Sequence, residues 1–140
     1  MKTRKISLLA GWIVCLACLI LMAGCGFGKK EHINVKDLEF TILGEELLPT
    51  ELAALIEEKK EDEFRFTYSD KKYLYICIGY GRQKTGGYSI AVNELYLGEN
   101  AVYVSCELLG PTAEDKKNTT PSHPYIVIKT EFLDETVIFE

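Results

Sequence analysis

"KTGGYSI", Lys84 to Ile90, follows the apolar run that ends in "IGYGRQ". Glycines placed just after a strand are where many proteins hold a phosphate. A dinucleotide fingerprint needs G-x-G-x-x-G and then a helix, whereas Gly79, Gly81 and Lys84 give G-x-G-x-x-K followed by strand sequence. A P-loop needs Lys and then Ser or Thr after the second glycine of G-x-x-x-x-G. Gly81 and Gly86 keep that spacing, but Gly87 and Tyr88 follow. Both nucleotide readings fail on the residues and on the missing helix, so no nucleotide or other cofactor is expected. What remains is a β-hairpin in which Gly86 and Gly87 take positive φ or admit a close backbone approach.

Other side chains with chemical potential are scattered. Cys77 and Cys106 with two distant histidines have no metal-ligand spacing, so no zinc site is expected. His32 and His123 lie in loop sequence. Ser122 is a neighbour of His123, but a nucleophile needs its base across space and an orienting third group, and nothing marks either. The acidic run "EEKKEDE", Glu57 to Glu63, reads as the solvated end of a helix. Strand acids Glu94, Glu107 and Glu131 leave a hydrolase pair as a minor alternative, since carboxylate separation is invisible in sequence. No catalytic residue is expected.

The elements that position these residues begin after an export segment. Lys2, Arg4 and Lys5 precede a largely apolar stretch from Ile6 to Ala23, which ends in "LMAGC", Leu21 to Cys25. That ending resembles the lipobox of bacterial lipoproteins, whose cysteine is acylated and becomes the new N-terminus. Ala23 and Gly24 fit, and Met22 stands where leucine is more usual. An uncleaved membrane span is the competing reading, because the stretch is just long enough to cross a bilayer. In either case the rest of the chain is expected at the extracytoplasmic face of the cell membrane, since the positive charges stay inside. Cleavage before Cys25, the expected lipidation (palmitate) site, leaves a charge of about −8, a poor match to nucleic acid. The tether from Gly26 to His32 spans at most roughly 24 Å.

Beyond it the chain reads as strands with one helix. "LEFTIL" puts Leu38, Phe40 and Ile42 on one strand face. "PTELAALIEEKK" predicts a helix, with Pro49 at its start, an apolar stripe of Leu52, Leu55 and Ile56, and Lys59 and Lys60 at its end. "DEFRFTYS" alternates Phe64, Phe66 and Tyr68 with Arg65 and Thr67. "YLYICIGYG" is apolar on both faces, as a central strand requires. "YSIAVNELYLG" breaks rhythm at Asn93 and Glu94, where a bulge is expected. "VYVSCELL", "YIVIKTEF" and "TVIFE" supply the remaining strands, and Gly110 to Pro124 is the one long loop. Cys77 and Cys106, read as two strands apart, favour free thiols over a bridge. All eight tyrosines fall in predicted strand segments. For most of them β propensity is sufficient reason, while Tyr80 and Tyr88, flanking the glycines, are candidates for exposed contacts.

The run "GYGRQKTGGYSIAVNELYL" with the later "HPYIVIK" resembles the C-terminal domain of PrcB, an accessory lipoprotein of a bacterial surface protease complex. Thr85, Gly86, Gly87, Tyr88 and Ser89 match its T-G-G-Y-S signature, and Pro124, Tyr125 and Lys129 match P-Y-x-x-x-K. Where many members have G-E-R-P-T, this chain has Gly81, Arg82, Gln83, Lys84 and Thr85. The resemblance, strongest from Gly79 to Lys129, implies a mainly β domain that binds or stabilises a protein partner without catalysis. The expectation is therefore an α+β, mainly β chain, with one helix on a predominantly antiparallel sheet or small sandwich. Residues 1–24 form the signal peptide, 25–34 the tether and 35–140 the domain. Tyr80, Thr85, Gly86, Gly87, Tyr88 and Tyr125 are the candidate partner contacts. The alternative is a lipoprotein that binds a peptide or a cell-wall glycan.

Overall fold

The computed structural model describes residues 31–115 and 119–140, which form eight strands, one α-helix and a 3-10 turn at Glu45–Leu47. The signal segment, Cys25 and most of the tether lie outside the described residues. Strands β1 (Asn34–Asp37), β5 (Ser89–Gly98), β6 (Val102–Leu109) and β8 (Val137–Phe139) form one sheet in the order β1-β5-β6-β8. Strands β2 (Phe40–Ile42), β7 (Tyr125–Glu131), β4 (Tyr73–Tyr80) and β3 (Glu63–Ser69) form the other, in the order β2-β7-β4-β3. Every pairing is antiparallel except β6 with β8.

The period-2 alternation of the strands sorts side chains into two cores. Leu74, Ile76 and Ile78 of β4, with Ile126 and Ile128 of β7, face Leu95, Val102 and Val104 of the other sheet. On the opposite face of β4, Tyr75 and Cys77 join Phe64 of β3 and Val127 of β7 beneath the helix α1 (Thr50–Lys59). The helix drops Leu52 and Ile56 into that cluster. Each is fully or almost fully buried, worth about 1.5–3 kcal/mol per side chain. The fold is thus a two-sheet sandwich with one helix on the outer face of the second sheet. β4 is the central strand its two-sided apolar sequence requires, and the ladder between β5 and β6 slips between Val92 and Glu94, where Asn93 breaks the alternation.

Three expectations are corrected. The glycines of "KTGGYS" do not turn a hairpin, because β4 and β5 belong to different sheets and the segment between them crosses the sandwich. Nor is Leu38–Leu43 one strand. The chain changes sheet at Leu38, whose amide donates to Leu95 while Thr130 Oγ1 donates to the Glu39 carbonyl. Leu38 is buried between the sheets, but Phe40 and Ile42 lie on an edge strand and are exposed. Finally, Cys77 and Cys106 are both free, but they lie in different sheets rather than two strands apart in one.

Candidate functional site

Two of the chain's four passages between the sheets lie side by side at one end of the sandwich. Residues 81–88 carry the chain from β4 to β5, and residues 110–124 carry it back from β6 to β7. Gln83 and Ser122 exchange backbone hydrogen bonds of 2.8 and 3.1 Å as an isolated antiparallel bridge. Ser122 Oγ donates to the Thr85 carbonyl at 2.6 Å, and the Tyr80 amide donates to the Pro124 carbonyl at 3.0 Å, extending the β4–β7 ladder. Gln83 Nε2 returns to the Tyr80 carbonyl at 2.9 Å.

Gly87 permits this approach. Its φ is 84°, and a Cβ there would lie 2.5 Å from Asp115 Cβ and 3.0 Å from Pro111 Cβ. Asp115 is itself fixed by a local turn, its carboxylate accepting from Thr112 Oγ1 at 2.7 Å. The second left-handed glycine is Gly81, φ 69°, and not Gly86. A Cβ at 81 would meet the backbone of Glu61 to Glu63, and the Arg82 amide donates to the Glu61 carbonyl. A third segment, the turn between α1 and β3, therefore joins the cluster. His123 Nε2 comes 2.9 Å from Glu61 Oε1, a contact that pairs charges when the imidazole is protonated but is not aligned as a hydrogen bond.

The structure sorts the candidate contacts. Tyr80, expected at the surface, is half-buried against the inter-sheet core, where burial pushes its hydroxyl pKa up. Tyr125 packs against the cluster beneath the helix, and burial raises its pKa as well. Thr85 and Gly86 are half-buried with Lys84 exposed between the crossings, and Arg82, Gln83, Lys84 and Pro121 line a shallow hollow of about 270 Å³. Tyr88 is half-buried and lies just before β5 rather than in a strand. Lys129, the last residue of the P-Y-x-x-x-K pattern, holds its ammonium 4.0 Å from the centre of the Tyr73 ring. Ser122 and His123 are sequence neighbours, yet the hydroxyl donates to Thr85 and the imidazole turns to Glu61.

Sequence reading missed two features. His32, assigned to the tether, stacks on Tyr103 with ring centres 4.2 Å apart, and Tyr103 stacks on Tyr96 at 5.2 Å. Asp70 accepts hydrogen bonds from the amides of Lys72 and Tyr73 and from the Tyr75 hydroxyl. Asp70 between "FTYS" and "KKYLY" carried a local sign of the second, since Asp commonly caps its own turn. The stack joins residues far apart in sequence and left no local sign.

Residues 74–131 match the family model described as PrcB C-terminal. The match runs from β4 through β7, so it spans both crossings and the strands they join. No curated protein and no solved structure matches the chain.

Proposed function

From residues 74–131, which belong to the PrcB C-terminal family, we propose that this chain is a non-catalytic accessory module that binds a protein partner. The observation that carries the reading is the pairing of the two signature segments. Thr85–Ser89 and Pro124–Lys129 lie far apart in sequence, and the Gln83–Ser122 bridge and the Ser122–Thr85 bond brace the crossings that hold them. A surface fixed before binding loses little conformational freedom on association, which favours recognition of a folded protein. Lys84, Thr85 and Tyr88 are its contacts, with Tyr80 and Tyr125 shaping it from below. In this reading Cys25 carries a lipid, the domain works at the outer face of the membrane, and the partner is an exported protein such as a protease.

Crosslinking in native membranes, followed by purification of the full chain, tests the role. Recovery of one exported protein in constant ratio is expected. Recovery of peptidoglycan fragments or free peptides in place of a protein would move the assignment to ligand binding.

A further inference from the structure

β3 is the longest edge strand of its sheet, pairing with β4 on one side and ending the sheet on the other. The direction of its free peptide groups follows from the turn that ends it. Asp70 donates its amide to the Tyr73 carbonyl, so 70 and 73 are a hydrogen-bonded pair. Such pairs alternate along an antiparallel ladder. Tyr68, Phe66 and Phe64 therefore spend their backbone groups on β4, while Arg65, Thr67 and Ser69 turn theirs to the open edge. All three of these residues are exposed.

Their side chains share the face of Ile78, Ile76 and Leu74, at the mouth between the sheets. A groove of about 610 Å³ opens there. It runs beside Thr67 and Ser69 over Leu74, Leu133, Val137 and Phe139. The groove is charged at its two ends. Asp134 and Glu135 line it where β3 ends, and past Phe139 a separate small hollow is lined by exposed Arg65 together with Glu140, whose carboxylate lies 3.7 Å from His32 Nε2.

We propose that the β3 edge and this groove take up one extended segment of the protein partner by strand addition, antiparallel to β3. The segment carries a basic residue at its N-terminal end, to meet Asp134 and Glu135, and a carboxylate at its C-terminal end, to meet Arg65. Between them, alternate apolar side chains enter the groove over Val137 and Phe139, while the backbone bonds to Arg65, Thr67 and Ser69. Arg65 and Lys71 bracket the free stretch with charge, a device that discourages two copies of this chain from joining edge to edge. The proposal rests on the protein-binding role and names how the partner is held.

The test uses the full chain in detergent micelles and the fluorescein-labelled pentapeptide Lys-Thr-Val-Thr-Glu as probe, whose first, third and fifth side chains share the groove face, followed by anisotropy. Saturable binding is expected. The charge-reversed peptide Glu-Thr-Val-Thr-Lys, and the probe with alternate amides N-methylated, should bind at least about tenfold more weakly. Thr67→Pro removes one outward amide while sparing the β4 ladder and should abolish binding; if that variant does not fold, the N-methylated peptide decides on the intact protein. Absence of saturation at about 1 mM, or equal binding of the N-methylated or reversed peptide, overturns the proposal. So does slow hydrogen exchange at Arg65, Thr67 and Ser69 without peptide, which would mean that the chain covers its own edge. A peptide that binds while native membranes yield no protein keeps the groove and ends the accessory role; a recovered protein with an unbound peptide does the reverse.

Discussion

Ser122 Oγ donates to the Thr85 carbonyl at 2.6 Å, joining residues 37 positions apart in the β4–β5 and β6–β7 crossings. Both groups are half-buried, so the carbonyl relies on this bond more than an exposed one would. Ser122→Ala should cost about 1 kcal/mol of stability. Amide exchange should quicken at Gln83 and Thr85 before it does in β4. Uniform loss of protection across both sheets would mean that the bond supports the whole fold and not the crossings.

Gly87 and Gly110 offer a matched pair. Gly87→Ala combines a φ of 84° with a Cβ 2.5 Å from Asp115 Cβ, and should destabilise by about 1–3 kcal/mol. A Cβ at Gly110 meets nothing within 4 Å, so Gly110→Ala should stay within about 0.5 kcal/mol of wild type. Thermal melts of the two variants check the contrast. Equal melting temperatures would remove the close approach at Gly87 from the account.

Asp70 links acid stability to one turn. Its carboxyl pKa is held below 3.8, first by the Tyr73 amide and then by the Tyr75 hydroxyl and the Lys72 amide, against a partial opposing effect of burial. A depressed carboxylate pKa contributes stability that is complete above 3.8, the unfolded value, and is lost as pH falls through the lower folded value. Asp70→Asn should therefore lower the melting temperature at neutral pH and flatten its decline below pH 3.8. Parallel melting curves for the two proteins across that range would contradict the assignment.

The two thiols should differ in reactivity. Cys77 is wholly buried, and burial pushes its pKa up to about 12. Cys106 is half-exposed at the inter-sheet edge; burial raises its pKa, with Arg65 nearby opposing that rise. Alkylation of the native protein followed by mass spectrometry should modify Cys106 first and Cys77 only after unfolding. Faster modification of Cys77 would be inconsistent with its place beneath the helix.

Local pattern carried much of this fold. Leu52 and Ile56 announced the buried stripe of the helix, and Asn93 announced the bulge in β5. Which sheet each strand joins was not legible. Gly86 and Gly87 read as a hairpin because a tight turn and a crossing use the same residues, and only long-range pairing separates them. β1 was missed because Asn34–Asp37 has one apolar side chain, Val35, and that is exposed. Of the candidate site, the signature residues were legible as two separate stretches. Their contact through Gln83, Thr85 and Ser122 was not, and neither was the inward turn of Tyr80, whose alternation matches that of its core neighbours.

Partner recovery from native membranes, measured for wild type and for Lys84→Ala combined with Tyr88→Ala at equal abundance, tests the binding role most directly. Truncating a central aromatic contact typically costs about 2 kcal/mol or more of binding. The account predicts that wild type retains one exported protein and that the double variant, with an unchanged melting temperature, loses it by at least about tenfold. Full retention by the folded double variant would contradict the crossings as the contact surface, and failure of the wild type to retain any protein would contradict the accessory role itself.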